Sequence, residues 1–497
     1  MSGDASTTDD ASSDGDARVS LRAAVEAELP RARADLEALV AIPSISADPA
    51  AGGEVARSAE AVANLFRELG IGTVGVRAVA GGAPAVVASL PGPSGAPTVL
   101  LYAHHDVQPV GDPAQWTSEP FKATERAGRL FGRGVADDKA GIVVHLAAIR
   151  ALLAAQGRLP VGVTVLIEGE EECGSPSLEP FLAELATALA SDVMIIADSA
   201  NWAVGIPSLT VSLRGLVDCT VELATLDHGV HSGMFGGPVP DALTSLCRLL
   251  ATLHDEVGDV AVAGLVANPG SPPEGSAELP VDFRVDAGGV AVSGIDAAFS
   301  GDPSVPELDE AGFRADAGLL DGVQLIGSGP LTERLWTKPS VTVLGIDATP
   351  ADDAANVLTP SARAKVSLRI PPGQDPAGAM RALTDHLLLH APWGARVTVV
   401  PGAAGEAYAA DPGGEVYAAA RSALAEAFGA EPVLAGMGGS IPLVAGYTAV
   451  HPGATVLITA VEDPQTRAHS TDESMHLGDF ASACVAEALL LDSLGRG

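Results

Sequence analysis

The chain has 497 residues, enough for two or three domains. Its 63 acidic and 28 basic residues give a net charge of −35, which argues against nucleic acid as a partner because such binding needs basic patches. Hydrophobic residues make up 47% and support a large core, yet no uninterrupted apolar run reaches the ~20 residues of a membrane span.

Residues 1–18 (MSGDASTTDDASSDGDAR) are polar and acidic. They read as a disordered tail with no signal-peptide pattern. A helix is expected from Val19 to Val40, interrupted near Pro30. Ala85–Leu90, Thr98–Ala103, Val163–Glu168, Val193–Ala197 and Ala454–Ala460 are short apolar runs and read as core strands. Helical patterns alternate with them at 55–69, 139–155 and 176–190, which predicts an α/β layered domain. The middle differs. Strand-like Asp218–Leu223 precedes a helix near Asp241–Leu253 and a Pro/Gly/Asp-rich stretch, 264–310, that reads as loops. Strand-like Val341–Leu344 and Ala364–Ile370 then lead to a helix from Pro376 to Leu389, an inserted α+β unit. The expected layout is a tail at 1–18, a catalytic domain at 19–210 resuming at 410–497, and the inserted unit at 211–409.

Polar phrases follow the core strands. After Thr98–Ala103 comes His104-His105-Asp106. His104 and Asp106 alternate with His105 and share a side on extended backbone. His104 is expected to bind metal, with Asp106 fixing its tautomer through the other ring nitrogen. GRGVADDKAG carries Asp137 and Asp138 ahead of a helix. One of the two acids could be a helix cap; Asp137 is expected to bridge two metals, with Asp138 pointing elsewhere. EGEEECGS places adjacent carboxylates at a strand end, where they repel unless a cation neutralises them. Glu172 would bind an ion, and Glu171 would act as general base toward a hydrolytic water. Asp198 follows Val193–Ala197, and His469 lies in RAHSTDE. His104, Asp137, Glu172, Asp198 and His469 thus read as the ligands of two divalent ions. A mixed imidazole and carboxylate set suits Zn²⁺, and also Mn²⁺ or Co²⁺. Cysteines 173, 219, 247 and 484 form no close pair, as in a reduced, cytoplasmic protein.

At HHDVQPV, GRGVADDKAG, EGEEECGS and GGSIP the chain resembles the two-metal exopeptidase family of carnosinases, bacterial dipeptidases, aminoacylase and succinyl-diaminopimelate desuccinylase. It is most similar to the carnosinase-like dipeptidase branch, and the resemblance runs from about residue 30 to the C-terminus. It implies a zinc-exopeptidase-like catalytic domain with an inserted lid and dimerisation domain. It implies that His104 and Asp198 hold one ion, that Glu172 and His469 hold the other, and that Asp137 bridges. His231 in HSGMFGG matches a histidine that reaches into a partner subunit's site and stabilises the oxyanion. Arg369 in SLRIPP matches an arginine for the substrate's terminal carboxylate, and Asn356, Gly439 and Ser440 match substrate contacts. Aspartate at the position of Asp198 goes, in the family, with substrates having a free amino end. The resemblance therefore implies a homodimeric dipeptidase, with N-acyl amino acid hydrolysis as the alternative. Gly436 and Met437 stand where carnosinases carry arginine and glutamate, a departure that bears on substrate preference alone.

Overall fold

A computed structural model describes residues 7–79, 81–265 and 308–496. The expected loops at 264–310 fall mostly outside these residues. The chain divides into two compact units, one of residues up to Val211 with Pro412–Ala435 and Pro442 onward, the other of Ser212–Asp411 with Gly436–Ile441.

The first unit is built on a mixed sheet. Its strands are β1 (Thr73–Arg77), β2 (Ala85–Leu90), β3 (Thr98–His104), β4 (Thr124–Arg126), β5 (Arg129–Phe131), β6 (Gly162–Glu168), β7 (Val193–Ile196) and β8 (Ser208–Leu213). In the sheet the order is β1-β2-β6-β3-β7, then Thr455–Ile458, then β8; β4 and β5 lie in a separate small sheet with Ser474–His476. Four neighbours, β6, β3, β7 and Thr455–Ile458, are mutually parallel, with His104 opposite Glu168 and Ile458 opposite Ile196. β3 is buried from Val99 onward, as expected of a parallel strand covered on both faces. Parallel strands all end on one edge, and polar side chains beyond that edge are brought together.

Helices α1 (Thr7–Val40), α2 (Gly52–Arg67), α3 (Lys139–Gln156) and α4 (Leu178–Leu189) also belong to this unit. The break expected near Pro30 is corrected by α1, and residues 1–6 of the expected tail lie outside the described residues. The α1 backbone is helical from Thr7 and runs through Pro30. Leu21 and Val25 before the proline, and Ala32, Leu36 and Leu39 after it, are buried on one helix face. That stripe packs against α3 on both sides of Pro30 and outweighs a local cost of about 3 kcal/mol. Extending an existing helix toward Thr7 adds one hydrogen bond per residue without a new nucleation cost. α3 is long and apolar enough to cross a membrane by composition, but it is mostly buried, packed by α1 and the C-terminal helix Leu477–Leu494.

The second unit holds a four-stranded antiparallel sheet in the order Ser340–Asp347, Ser361–Ile370, Gly215–Ala224, Arg396–Gly405. Val217, Cys219, Val221 and Leu223 alternate into one face with Ala364, Val366 and Leu368. Leu246 and Leu249 of the helix Ala242–Ala251, and Leu383 and Leu387 of Pro376–Leu389, complete that core. Gly436–Ile441 joins this unit; a Cβ on Gly436 would lie 2.6 Å from Trp336, so glycine lets the segment pack there.

Candidate active site

Each parallel strand delivers a polar residue just past its end. His104 closes β3, Asp198 follows β7 by two residues, and a short turn after β6 presents Glu171 and Glu172. That turn comes close to the backbone of its neighbours. A Cβ on Gly169 would sit 2.6 Å from the Pro84 carbonyl and 2.7 Å from His105 Nε2, so only glycine fits. His469 lies on the loop after Thr455–Ile458 with φ +62°. A left-handed backbone costs a non-glycine residue about 1 kcal/mol or more, so tertiary contacts hold it there.

The five expected ligands meet as two groups that share Asp137. One atom from each of His104, Asp137 and Asp198 lies within 4.8 Å of the others, and the same holds for Asp137, Glu172 and His469. Asp137 Oδ1 is 3.0 Å from His104 Nε2, and its Oδ2 is 3.0 Å from His469 Nε2. His469 Nε2 is 3.2 Å from Glu172 Oε2. Asp138 turns away. It stands at the start of α3 without capping it, and its Oδ2 accepts from the His104 backbone N–H at 3.1 Å.

Asp106 sits behind His104, with Oδ1 3.4 Å from its Nδ1, and leaves Nε2 facing Asp137. Its two oxygens also accept the backbone N–H groups of Glu171 and Glu172, at 3.2 and 3.0 Å. Asp106 thus holds the imidazole, whose Nδ1 meets the Asp106 backbone carbonyl at 3.1 Å, while its carboxylate fixes the turn carrying the candidate base. His105 alternates to the other side, where its Nε2 meets the Pro84 carbonyl at 2.8 Å. Burial pushes its pKa down to about 4, so it stays neutral.

The charges of the cluster suit divalent ions. Asp137, Glu171, Glu172, Asp198 and Glu462 gather around two imidazoles, and among the described residues none of the five pairs with a lysine or arginine. Burial raises the Asp198 pKa to about 7, with Asp137 and Glu172 adding repulsion. Burial also raises Glu171 well above the carboxylate range, reinforced by Asp198, Glu172 and Asp137 and opposed by His104. The carboxylates of Asp137 and Glu172 hold His469 up to about 11. Protons here neutralise what a pair of divalent cations would neutralise, and the donor atoms are nitrogen and oxygen, as such ions require.

The remaining candidates lie in the second unit. His231 is exposed, and its Nδ1 accepts from the Gly233 N–H at 3.0 Å. The strand Val230–His231 pairs with Val357–Leu358, and the Asn356 carbonyl accepts from the Ser232 N–H at 3.0 Å. Arg369 donates from Nη1 to Ser440 Oγ at 3.1 Å, which ties it to the GGSIP segment. Its guanidinium has no carboxylate partner among the described residues.

Four residues at these places escape the sequence reading. Gln108 donates Nε2 to Glu172 Oε2 at 2.8 Å and continues the His104, Asp106 alternation, so the period of two could have found it. Arg214 donates Nε to the Gly438 carbonyl at 3.1 Å and braces the loop of Ser440. Glu462 is drawn beside Asp198 because its backbone bridges Ala200. Glu473 grips the Asp137 loop. The last three act through partners remote in sequence and carry no local signal.

Imidazoles and carboxylates gathered at the ends of parallel strands in an α/β unit define a metal-dependent hydrolase. The model of peptidase family M20/M25/M40 matches residues 100–493, and the chain belongs to that family; it is a metallopeptidase. It is 36% identical over 408 residues to the cysteinylglycine-S-conjugate dipeptidase of Corynebacterium striatum, covering 81% of this chain and 82% of that protein. It is 27% identical over 409 residues to the rat (Rattus norvegicus) beta-Ala-His dipeptidase, covering 80% of this chain and 77% of that one. Among solved structures, the dipeptidase Dug1p of Saccharomyces cerevisiae shares the fold with a TM-score of 0.79 at 22% identity, covering 97% of this chain and 99% of that one. Human carnosine dipeptidase 1 does so with a TM-score of 0.78 at 23% identity, covering 97% and 99%.

Proposed function

We propose that this metallopeptidase cleaves dipeptides that carry a free amino end. The observation that carries the reading is Asp137, whose two oxygens face the two separate ligand groups. Curated dipeptidases at up to 36% identity support the substrate class. In this reading His104 and Asp198 hold one ion, Glu172 and His469 hold the other, and Asp137 bridges. Zn²⁺ leads for such ligands, with Mn²⁺ or Co²⁺ as substitutes. When bound, the ions would polarise the scissile carbonyl and acidify a water.

The chain's own groups do the rest. Glu171 takes the water's proton and passes it to the leaving amine. Asp106 keeps His104 in the required tautomer. Arg369 receives the substrate's carboxylate bidentately, positioned by Ser440, with Asn356 and Gly439 as further contacts. His231 of a second copy donates to the developing oxyanion. Residues 211–409 serve as the lid and dimerisation domain, and the working compartment is the cytoplasm.

The direct test is a turnover screen of the metal-stripped protein, reloaded in turn with Zn²⁺, Mn²⁺ or Co²⁺. Hydrolysis is expected for free dipeptides, with little for N-blocked dipeptides, C-terminal amides or N-acyl amino acids. Preference for N-acyl amino acids would replace this reading with a deacylase. The dimer is proposed from the edge strand Ser340–Asp347, whose Val343, Leu344 and Ile346 are 37%, 59% and 43% exposed. Sedimentation velocity on active enzyme should give a dimer; an active monomer would remove the role of His231 in trans.

A further inference from the structure

Away from the ligand atoms, a buried glutamate outside the proposed chemistry has both carboxylate oxygens hydrogen-bonded. Glu473 is fully buried and lies four residues after His469. Its Oε1 accepts the backbone N–H groups of Ala136 and Asp137, at 3.0 and 3.3 Å. Its Oε2 accepts the Gly134 N–H at 3.0 Å and Arg133 Nη1 at 2.6 Å. The Glu473 carbonyl adds the Gly132 N–H at 3.0 Å. Five donors from one loop thus converge on one residue, and that loop carries Asp137.

Arg133 extends the connection. It is 1% exposed, and its Nη2 donates to the carbonyls of Ser470 and Pro109, at 3.1 and 3.2 Å. Ser470 adjoins His469, and Pro109 adjoins Gln108, which holds Glu172. The pair therefore joins the segments bearing Asp137, His469 and Gln108. A buried ion pair is weak evidence for stability, since desolvation offsets most of the attraction. Here both partners spend their hydrogen bonds on backbone of ligand-bearing loops, and that pattern is the arrangement a geometry-setting pair needs.

We infer that Glu473, braced by Arg133, is a positioning residue that holds Asp137 and His469 at metal-binding separation, so that both ion affinities depend on a carboxylate that touches neither ion. The inference rests on the two-metal reading above. It predicts coupling: because Asp137 is shared, loosening its loop weakens both ions and not one.

Glu473→Gln tests it. The amide is isosteric, but it sets an NH₂ donor against backbone donors whichever way it is turned, so about half the grip is lost. Full-length wild type and variant would be stripped and titrated with Zn²⁺ against a chromophoric chelator, with circular dichroism giving the folded fraction. Both ions should bind about 10–100-fold more weakly per folded molecule, as for other residues that orient ligands. At saturating Zn²⁺ the KM for a free dipeptide should stay within about twofold while kcat falls. A purely structural role would lower Tm and leave affinity per folded molecule unchanged, and that outcome overturns the inference. If Glu473→Gln does not accumulate folded, Glu473→Asp keeps the charge at shorter reach and is read in the same way; a loss of affinity supports the inference and wild-type affinity overturns it. A wild type that binds no Zn²⁺ overturns the two-metal reading itself, whereas a wild type that binds two ions beside an unaffected variant overturns only the role of Glu473.

Discussion

Glu171→Gln is expected to keep the fold and both ions and to lose about 10²–10⁴-fold in kcat, the range that acid–base catalysis contributes. Its backbone N–H is fixed by Asp106 at 3.2 Å, so the side chain starts from an anchored point at the end of β6. Burial raises its proton affinity most, opposed by His104 and reinforced by its neighbours Asp198, Glu172 and Asp137. A carboxylate so placed accepts a proton readily, whereas glutamine of the same shape cannot accept one. Glu171 has no atom in either ligand group, so its charge is not needed to hold an ion. The check pairs metal stoichiometry with turnover at saturating metal. Wild-type turnover would end the assignment as base, and loss of an ion together with activity would make Glu171 a ligand instead.

The clustering of these side chains was legible in the chain because of where the strands end. Ala85–Leu90, Thr98–His104 and Gly162–Glu168 follow the apolar runs closely, since a strand buried on both faces needs unbroken hydrophobic residues. Parallel pairing of β3, β6 and β7 then places their last residues on one edge, so a histidine or acid just after such a run is brought to a common place. The same logic fails where order depends on remote contacts. Pro30 argued for a break, and only the packing of α1 on α3 explains its absence. Glu473 lies 336 residues from Asp137, and nothing in its local phrase foretells five donors from the loop of Arg133. Arg214 and Glu462 were missed for the same reason, whereas Gln108 was missed although it lies in register with two residues already read.

Asp137→Ala should have the largest effect of any single ligand change, because the geometry makes this carboxylate common property. Its Oδ1 faces His104 and its Oδ2 faces His469, each at 3.0 Å. Asp198 belongs to one group and Glu172 to the other. Removing Asp198 or His469 therefore takes a donor from one ion, while removing Asp137 takes a donor from both and leaves the two cations without the anion that screens them from each other. At a separation of about 3.5–4 Å that repulsion is severe in a site of low dielectric. Stoichiometry by elemental analysis after gel filtration should fall from two ions to one in Asp198→Ala and His469→Ala, and below one in Asp137→Ala. Activity should follow the same order. Losing several kcal/mol of charge stabilisation corresponds to roughly 10³-fold or more in rate for Asp137→Ala. The ordering matters more than any single value. Equal losses in all three variants would mean that the two groups bind as one cooperative centre. An Asp137→Ala protein that retained two tightly held ions would remove the bridge, and with it the reason for treating this chain as a two-metal enzyme.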